Sequence, residues 1–174
     1  MSITSLIFLM VFFCICCFAI AAASFAPWVP TWKKDLPRIL KLADLKSGQK
    51  FYELGSGTGK VSLYISKHSS AQIIGLEIAL PLYLFCKAKQ FIAGKNNLVF
   101  RWKNLYKQNL SDADVIYFFG TPKPLAKRLK QKLEKELKHG AKVISYVFPI
   151  EGWDPKVIDK PSPNDVDIFL YEIY

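Results

Sequence analysis

The chain has 174 residues, of which 51% are hydrophobic and 22% are charged, and its formal net charge is +10. These values exclude a disordered chain, and the length allows one domain with a real core but not two. The positions of the cysteines also argue against a disulfide-rich secreted fold. Three of the four cysteines lie within residues 14–17 of an apolar stretch, which leaves only Cys86 in the rest of the chain.

The amino-terminal stretch carries no charge, since the first charged side chain is Lys33. Residues 3–26 are long enough, at about 1.5 Å per helical residue, to cross a hydrocarbon layer of roughly 30 Å. We therefore expect one transmembrane helix over 3–26. A cleaved signal peptide is the alternative, because small residues at 21–24 resemble a cleavage site. The length of the apolar run and the absence of a basic residue before it favour the anchor.

Basic residues follow this stretch and none precedes it, so the positive-inside rule predicts a single-pass membrane protein whose domain lies on the cytoplasmic side. The lone Cys86 agrees with a reducing compartment. We expect residues 27–49 to be a linker with a helix and residues 50–174 to be the folded domain. The basic residues in question are Lys33, Lys34, Arg38 and Lys41.

Helical and strand patterns alternate along the rest of the chain, which indicates an α/β fold with a parallel sheet and helices on both faces. Ligands in such sheets bind at the carboxyl ends of the strands, near the point where the strand order reverses. We predict helices over 34–45, 60–67, 80–93 and 125–138. We predict strands over 50–54, 71–78, 98–103, 115–119, 142–148 and 168–174, with a short partner for the last near 157–158.

A glycine-rich turn with the sequence ELGSGTG occupies residues 53–59, directly after the first predicted strand. Glycines let a ligand approach the backbone, and the helix that follows offers free N–H groups. A phosphate-binding P-loop is excluded, because only three residues separate Gly55 from Gly59 and Val61 follows Lys60. The dinucleotide fingerprint also fails, since the third glycine comes one residue early. A tight turn without a ligand stays the alternative, at an entropic cost from three glycines.

This turn resembles motif I of class I S-adenosylmethionine-dependent methyltransferases, which predicts that methyl donor as the cofactor. Glu77 ends the second predicted strand, 22 residues after Gly55 (77 − 55). An acidic side chain about 20 residues after the first glycine is well placed to bind ribose hydroxyls. A solvated carboxylate at a strand end is the alternative for Glu77.

The chain after residue 28 resembles a narrower family, the membrane-anchored lysine methyltransferases that modify the adenine nucleotide translocase and the ATP synthase c-subunit, with their small prokaryotic relatives. Two departures stand out: Asn104 replaces the usual aspartate, and Val147 replaces an arginine that commonly precedes the Phe-Pro pair. The matching segments are Val29-Pro30-Thr31, Tyr52 to Gly59, Gly75 to Glu77, Asn104 to Lys107, Phe119 to Pro122, Lys132 to Leu137, and Phe148-Pro149 with Trp153.

The resemblance implies a Rossmann-like methyltransferase fold, S-adenosylmethionine and a lysine acceptor on a membrane protein. It assigns cofactor binding to Pro30, Thr31, Glu53, Gly55, Ser56, Gly57, Thr58, Gly59, Glu77, Ile78, Asn104 and Leu105. It places Thr121, Pro122, Phe148, Pro149 and Trp153 at the border of the methyl acceptor.

No general base is assigned by spacing, and Tyr117 is interpreted as a packing residue of its strand. A phospholipid amine or another membrane-embedded small molecule is the alternative acceptor, and a non-catalytic cofactor-binding module is the alternative class. The basic residues between 123 and 138 form either a solvated helix face or a surface for anionic lipids. We expect a lipid bilayer as partner, and neither nucleic acid nor a bound metal.

Overall fold

We describe the fold from a computed structural model, which covers residues 2–24, 29–119 and 125–174, without the side chains of residues 18, 20–24, 125 and 126. Thr121 and Pro122 therefore lie outside the described residues. The first helix, α1, runs from Ile3 to Ser24 and confirms the helix expected there. Its large apolar side chains between Ile3 and Ile15 are exposed.

The expectation that this helix spans a membrane is not supported by the structure. Over the residues described here, no helix combines the length and the apolar character needed to cross a bilayer. Only the helical conformation of Ile3–Ser24 is confirmed, and not its position in a membrane. Residues 25 and 26, the end of the expected anchor, are outside the described part of the chain.

Within the described ranges, seven strands form one sheet in the order β3-β2-β1-β4-β5-β7-β6. The strands β1 to β5 are parallel, and β7 is antiparallel to both of its neighbours, β5 and β6. This arrangement confirms the predicted α/β class and the pairing of the last strand with the short one, but the sheet is mixed and not wholly parallel as predicted, because β7 runs antiparallel to its neighbours. The strands are Lys50–Leu54, Gln72–Glu77, Leu98–Trp102, Val115–Phe119, Lys142–Tyr146, Val157–Asp159 and Ile168–Glu172, for β1 to β7.

Helices cover both faces of the sheet, as predicted, but unequally. Successive strand residues point to opposite faces, so Phe51 and Tyr117 pack in one core, and Tyr52 and Phe118 in the other. The first core includes residues of α2, α3 and α4, while the second packs against α5. The helices are Leu36–Ala43, Lys60–His68, Leu80–Ala93 and Leu125–Glu136, for α2 to α5.

The connection from β3 to β4 contains no α-helix, only a short 3₁₀ turn at Leu105–Lys107. Leu105, Leu110 and Ala113 of this connection are buried and fill the second core where a helix would otherwise lie. The strand order reverses between β1 and β4, whose carboxyl ends therefore flank the expected ligand crevice.

The segment before α2 is fastened to the sheet by a buried ion pair. Asp35, fully buried, accepts a hydrogen bond from Arg38 at 2.7 Å and another from the Tyr146 hydroxyl at 2.6 Å. The same guanidinium reaches Asp159 of β6 and the carbonyl oxygen of Val166. Arg38 thus links the segment before α2 to β6, an edge strand of the sheet.

We predict that Arg38→Ala lowers the free energy of unfolding by about 3 kcal/mol, because it leaves the buried carboxylate of Asp35 without its charge partner. Chemical denaturation measures the change. Lys46→Ala is the control, since its pair with Asp44 is exposed and is expected to contribute at most about 1 kcal/mol. If the two variants lose the same free energy of unfolding, the buried pair contributes no more to stability than the exposed one.

Candidate cofactor site

The glycine turn adopts a backbone that other residues would strain. Gly55, Gly57 and Gly59 have φ angles of 80°, 54° and 68°, all in the left-handed region. A Cβ atom on Gly59 would lie 2.5 Å from the ring of Phe100. The alternating glycines are therefore required by the path of the chain as it leaves β1 and enters α3.

Glu77 holds the glycine turn against the end of β2. One carboxylate oxygen, Oε2, accepts the N–H of Gly57 at 2.7 Å. The other, Oε1, accepts the N–H groups of Ile78 and Ala79 at the start of α4, at 2.9 and 2.8 Å. Burial raises the pKa of Glu77, and these backbone hydrogen bonds oppose that shift. A carboxylate oxygen has two lone pairs, so Oε2 can also accept a ribose hydroxyl.

Glu53 is buried on the opposite side of the turn and caps α3. Its Oε2 accepts the backbone N–H of Ser62 at 2.9 Å and the Ser62 hydroxyl at 2.5 Å. Burial raises the pKa of Glu53 to about 8, with a smaller contribution from the charge of Glu77. Glu53 borders the cavity at the turn, but its hydrogen bonds go to the protein, so its direct effect is to position the turn.

Helix α4 supports the turn from outside through two side chains. The Cys86 thiol donates to the carbonyl oxygen of Gly57 at 3.2 Å, and Lys89 Nζ donates to that of Thr58 at 2.9 Å. Burial, and then the charges of Glu53 and Glu77, raise the pKa of Cys86 to about 12, so it stays a thiol.

The segment at residues 29–31 forms one wall of the cavity above the turn. Val29, Pro30 and Thr31 line it together with Gly55 to Thr58 and Phe119. The Thr31 hydroxyl is hydrogen-bonded to the Tyr117 hydroxyl at 2.8 Å, and the Thr31 carbonyl oxygen accepts from Lys60 at 2.8 Å. Tyr117 therefore packs, as expected, and also fixes this wall.

The carboxyl end of β3 is followed by Asn104 and Leu105, two of the residues that the resemblance assigns to the cofactor. The side chain of Asn104 accepts the N–H of Tyr106 at 2.9 Å and so caps the 3₁₀ turn, while Leu105 is buried in the second core. Trp102 donates its indole N–H to the carbonyl oxygen of Ile78 at 2.9 Å. This contact brings the ends of β2 and β3 together beside Glu77.

The residues assigned to the methyl acceptor divide between two places. The rings of Phe119 and Phe148 lie 5.9 Å apart at the carboxyl ends of β4 and β5, and Pro149 is exposed beside them. Trp153 instead packs on Tyr171 at 5.5 Å and donates to Glu134 of α5. Its described contacts are thus with α5 and β7, and packing against these two elements explains them without a methyl acceptor.

The residues at the turn fit S-adenosylmethionine by an independent observation. The hydroxyl of Ser56 is buried at the cavity and finds no nitrogen or oxygen partner among the described residues; its neighbour is the Cys86 thiol, a weak hydrogen-bonding group. A polar ligand at this turn would give the hydroxyl a stronger partner. The three left-handed glycines leave the backbone open to such a ligand.

Sequence reasoning missed the residues that hold the wall of the site. These residues form hydrogen bonds with partners that are distant in the sequence. Tyr146 binds Asp35, which lies 111 positions earlier, and Lys60 binds the carbonyl oxygen of Thr31. Val147, which departs from the family pattern, has a φ of 75°. That angle is rare for a β-branched residue and marks a strained backbone directly before Phe148.

We predict that Gly57→Val reduces the affinity for S-adenosylmethionine at least tenfold, because the side chain strains a left-handed position and obstructs the turn. Isothermal titration calorimetry measures the affinity. Gly48→Val is the control, since Gly48 also has a positive φ of 81° but has open space around it. Equal affinities in the two variants would show that the turn is not the cofactor site.

We predict that the stability of the protein falls as the pH rises from about 4.5 to about 8, in part because of Glu53. Its raised pKa means that the folded state holds the proton more tightly than the unfolded state in this window. The contribution is at most about 1.4 kcal/mol per pH unit. Unfolding of Glu53→Gln at several pH values should show a flatter profile, whereas the exposed Glu151→Gln should keep the wild-type slope. A Glu53→Gln profile as steep as wild type would contradict this.

Known proteins resemble this chain along most of its length. A family model described as the ANTKMT methyltransferase domain matches residues 53–157. A Saccharolobus islandicus protein named protein-lysine N-methyltransferase is 31% identical over 153 residues, which are 84% of this chain and 93% of that protein. The human lysine N-methyltransferase of the ATP synthase c-subunit is 27% identical over 130 residues, 74% of this chain and 54% of the human protein.

Solved structures agree with the fold and the cofactor. An RNA methyltransferase from Salinibacter ruber, in complex with S-adenosyl-L-homocysteine, is 27% identical with a TM-score of 0.78 and covers 83% of this chain and 94% of its own. An S-adenosylmethionine-dependent O-methyltransferase from Thermotoga maritima, 15% identical, shares the fold with a TM-score of 0.62 over 84% of this chain and 68% of its own. Because the family model begins at Glu53 and ends in β6, and so includes the glycine turn, this protein belongs to the ANTKMT methyltransferase domain family of S-adenosylmethionine-dependent protein-lysine N-methyltransferases.

Proposed function

We propose that this enzyme methylates a lysine side chain of a protein that resides in or at a membrane. The observation that carries the proposal is the match of residues 53–157 to a family whose relatives are named lysine N-methyltransferases. The membrane part is supported by the human relative, which is named for a component of ATP synthase, and by the exposed apolar side chains of α1.

The cofactor would lie along the carboxyl edge of β1, β2 and β3. The glycine turn and the Val29–Thr31 wall would hold its methionine part, Glu77 with Ile78 its ribose, and Asn104 with Leu105 its adenine. S-adenosylmethionine supplies an electrophilic methyl group on its sulfonium. The chain has to orient that group toward the acceptor and exclude water from it.

A lysine acceptor reacts only as the neutral amine, and the described residues supply a dry setting for its deprotonation. Phe119 lies 6.1 Å from the ring of Tyr146 and 5.9 Å from that of Phe148, so aromatic rings surround the end of β4. Burial among such rings lowers the pKa of an amine. Glu53 and the Tyr117 hydroxyl are both engaged within the protein. The acceptor ammonium would therefore release its proton to bulk water before it enters the site, and desolvation would keep the amine neutral for attack on the methyl group.

RNA is a second candidate acceptor. The Salinibacter ruber structure is described as an RNA methyltransferase, and a net charge of +10 suits a polyanion. The lysine acceptor is favoured because the lysine methyltransferase of Saccharolobus islandicus is more similar in sequence over a comparable part of the chain. A phospholipid amine is the third acceptor that the experiment below distinguishes.

We predict that the full chain transfers labelled methyl groups from S-adenosylmethionine to protein in membranes of its source cells. The protein, lipid and RNA fractions are separated after the reaction, and methyl-lysines are identified by mass spectrometry after hydrolysis of the protein. Gly57→Val is the inactive reference and Gly48→Val the matched active one. Label confined to lipid or to RNA would contradict the lysine proposal and select the corresponding alternative.

A further inference from the structure

One face of α4 exposes a continuous stripe of large apolar side chains. Leu84, Phe85, Phe91 and Ile92 are 56%, 51%, 89% and 82% exposed, and the exposed Ala88 lies between the two pairs. Their spacing of one, four, seven and eight residues places all five on one side of a helix. We call these five residues the α4 apolar face.

The opposite side of the same helix is already occupied. Leu82 and Cys86 are buried against the sheet, and the Cys86 thiol binds the glycine turn. The α4 apolar face therefore points away from the core and is not an unfilled part of it. Four large side chains side by side on one exposed surface indicate a surface that another apolar phase or molecule covers.

The charges around this face have one sign. Residues 78–111 contain no aspartate or glutamate. None of the basic side chains in that stretch forms an ion pair within the described part of the chain. These six basic residues are Lys87, Lys89, Lys95, Arg101, Lys103 and Lys107.

Three basic residues in and just after α5, where a lipid surface was the alternative expectation, differ in this respect. Lys132 lies 2.6 Å from Glu136, Lys138 lies 2.6 Å from Asp114, and Lys130 donates to the carbonyl oxygen of Glu151 at 2.8 Å. Their charges are directed at partners within the protein. Beside α4, by contrast, Lys87 and Lys95 carry positive charge within a stretch that has no acidic residue of its own.

A second apolar surface belongs to a helix that contacts α4. Helix α1 contacts α4, and the apolar side chains of α1 from Ile3 to Ile15 are exposed as well. Trp102, which is 59% exposed, lies at the end of β3 on the same flank and binds the carbonyl oxygen of Ile78. The exposed apolar side chains of α1 and α4 and the indole ring of Trp102 would all be buried by one apolar partner on this side of the domain.

We propose that the α4 apolar face is the surface by which the domain lies on an anionic lipid bilayer, with its apolar side chains in the interfacial layer and Lys87 and Lys95 among the headgroups. Apolar residues bordered by unpaired basic ones are the pattern of helices that bind at such an interface. A second copy of this chain would bring like charges together, and nucleic acid would leave the apolar side chains uncovered.

This orientation has a consequence for the active site, which rests on the proposed function. Helix α4 begins at Leu80, three residues after Glu77, so the carboxyl end of β2 lies beside the start of the bilayer-facing helix. A lysine of a membrane protein close to the headgroup layer would then be within reach of that end of the sheet. The same surface would thereby select acceptors by their depth relative to the membrane.

The test is photo-crosslinking of the full chain on vesicles that contain anionic lipid. The crosslinking residue replaces Phe91 in one variant (Phe91→p-benzoylphenylalanine) and Ile158 of β6 in the control (Ile158→p-benzoylphenylalanine). Ile158 is also apolar and 56% exposed, but it lies at the opposite edge of the sheet. We expect at least tenfold more lipid adduct at position 91, and a decrease when the anionic lipid is replaced by a zwitterionic one.

Equal lipid adducts at the two positions, or none at either, would overturn the proposal. Crosslinks between two chains at position 91 would overturn it in favour of a self-association surface. Calorimetry with S-adenosylmethionine on the same variant verifies that the domain is folded. Because the readout is lipid adduct, failure of this proposal is distinguishable from failure of the lysine methyltransferase proposal, which concerns the methylated product.

Discussion

The structure depends on two buried glutamate side chains that hold one glycine turn. Glu77 accepts the N–H of Gly57 from the side of β2, and Glu53 accepts two hydrogen bonds from Ser62 in the helix that follows the turn. Burying carboxylates is costly, and the raised pKa of each reflects that cost. The turn is thus held by polar contacts on both sides, through Glu77 at the end of β2 and through Glu53 and Ser62 at the start of α3.

The wall above the turn extends this constraint across the domain. Thr31 is bound by Tyr117 of β4, and the nearby Asp35 is bound by Tyr146 of β5 and by Arg38, which in turn reaches Asp159 of β6. A short segment outside the sheet thus connects the cofactor edge with the last strands. The position of the Val29–Thr31 wall and the position of β6 are therefore connected through the same few polar contacts.

The sequence predicted the class, the strand and helix boundaries to within a few residues, and the meeting of Pro30 and Thr31 with the glycine turn. Periodicity and glycine placement are local signals, so these predictions could be made. The helix ends were less exact: α5 was expected to reach residue 138 but ends at Glu136. The buried pair of Asp35 and Arg38, the role of Lys60 and the place of Trp153 depend on contacts between distant segments, which no local pattern reveals.

The turn between Glu53 and Glu77 is proposed to seat S-adenosylmethionine beneath the Val29–Thr31 wall, and a crystal structure of the full chain with S-adenosylhomocysteine tests this most directly. We expect electron density for the ribose at hydrogen-bond distance from Glu77, and for the amino-acid part between the glycine turn and Thr31. A ligand bound elsewhere, with the Ser56 hydroxyl still lacking a nitrogen or oxygen partner, would contradict the assignment.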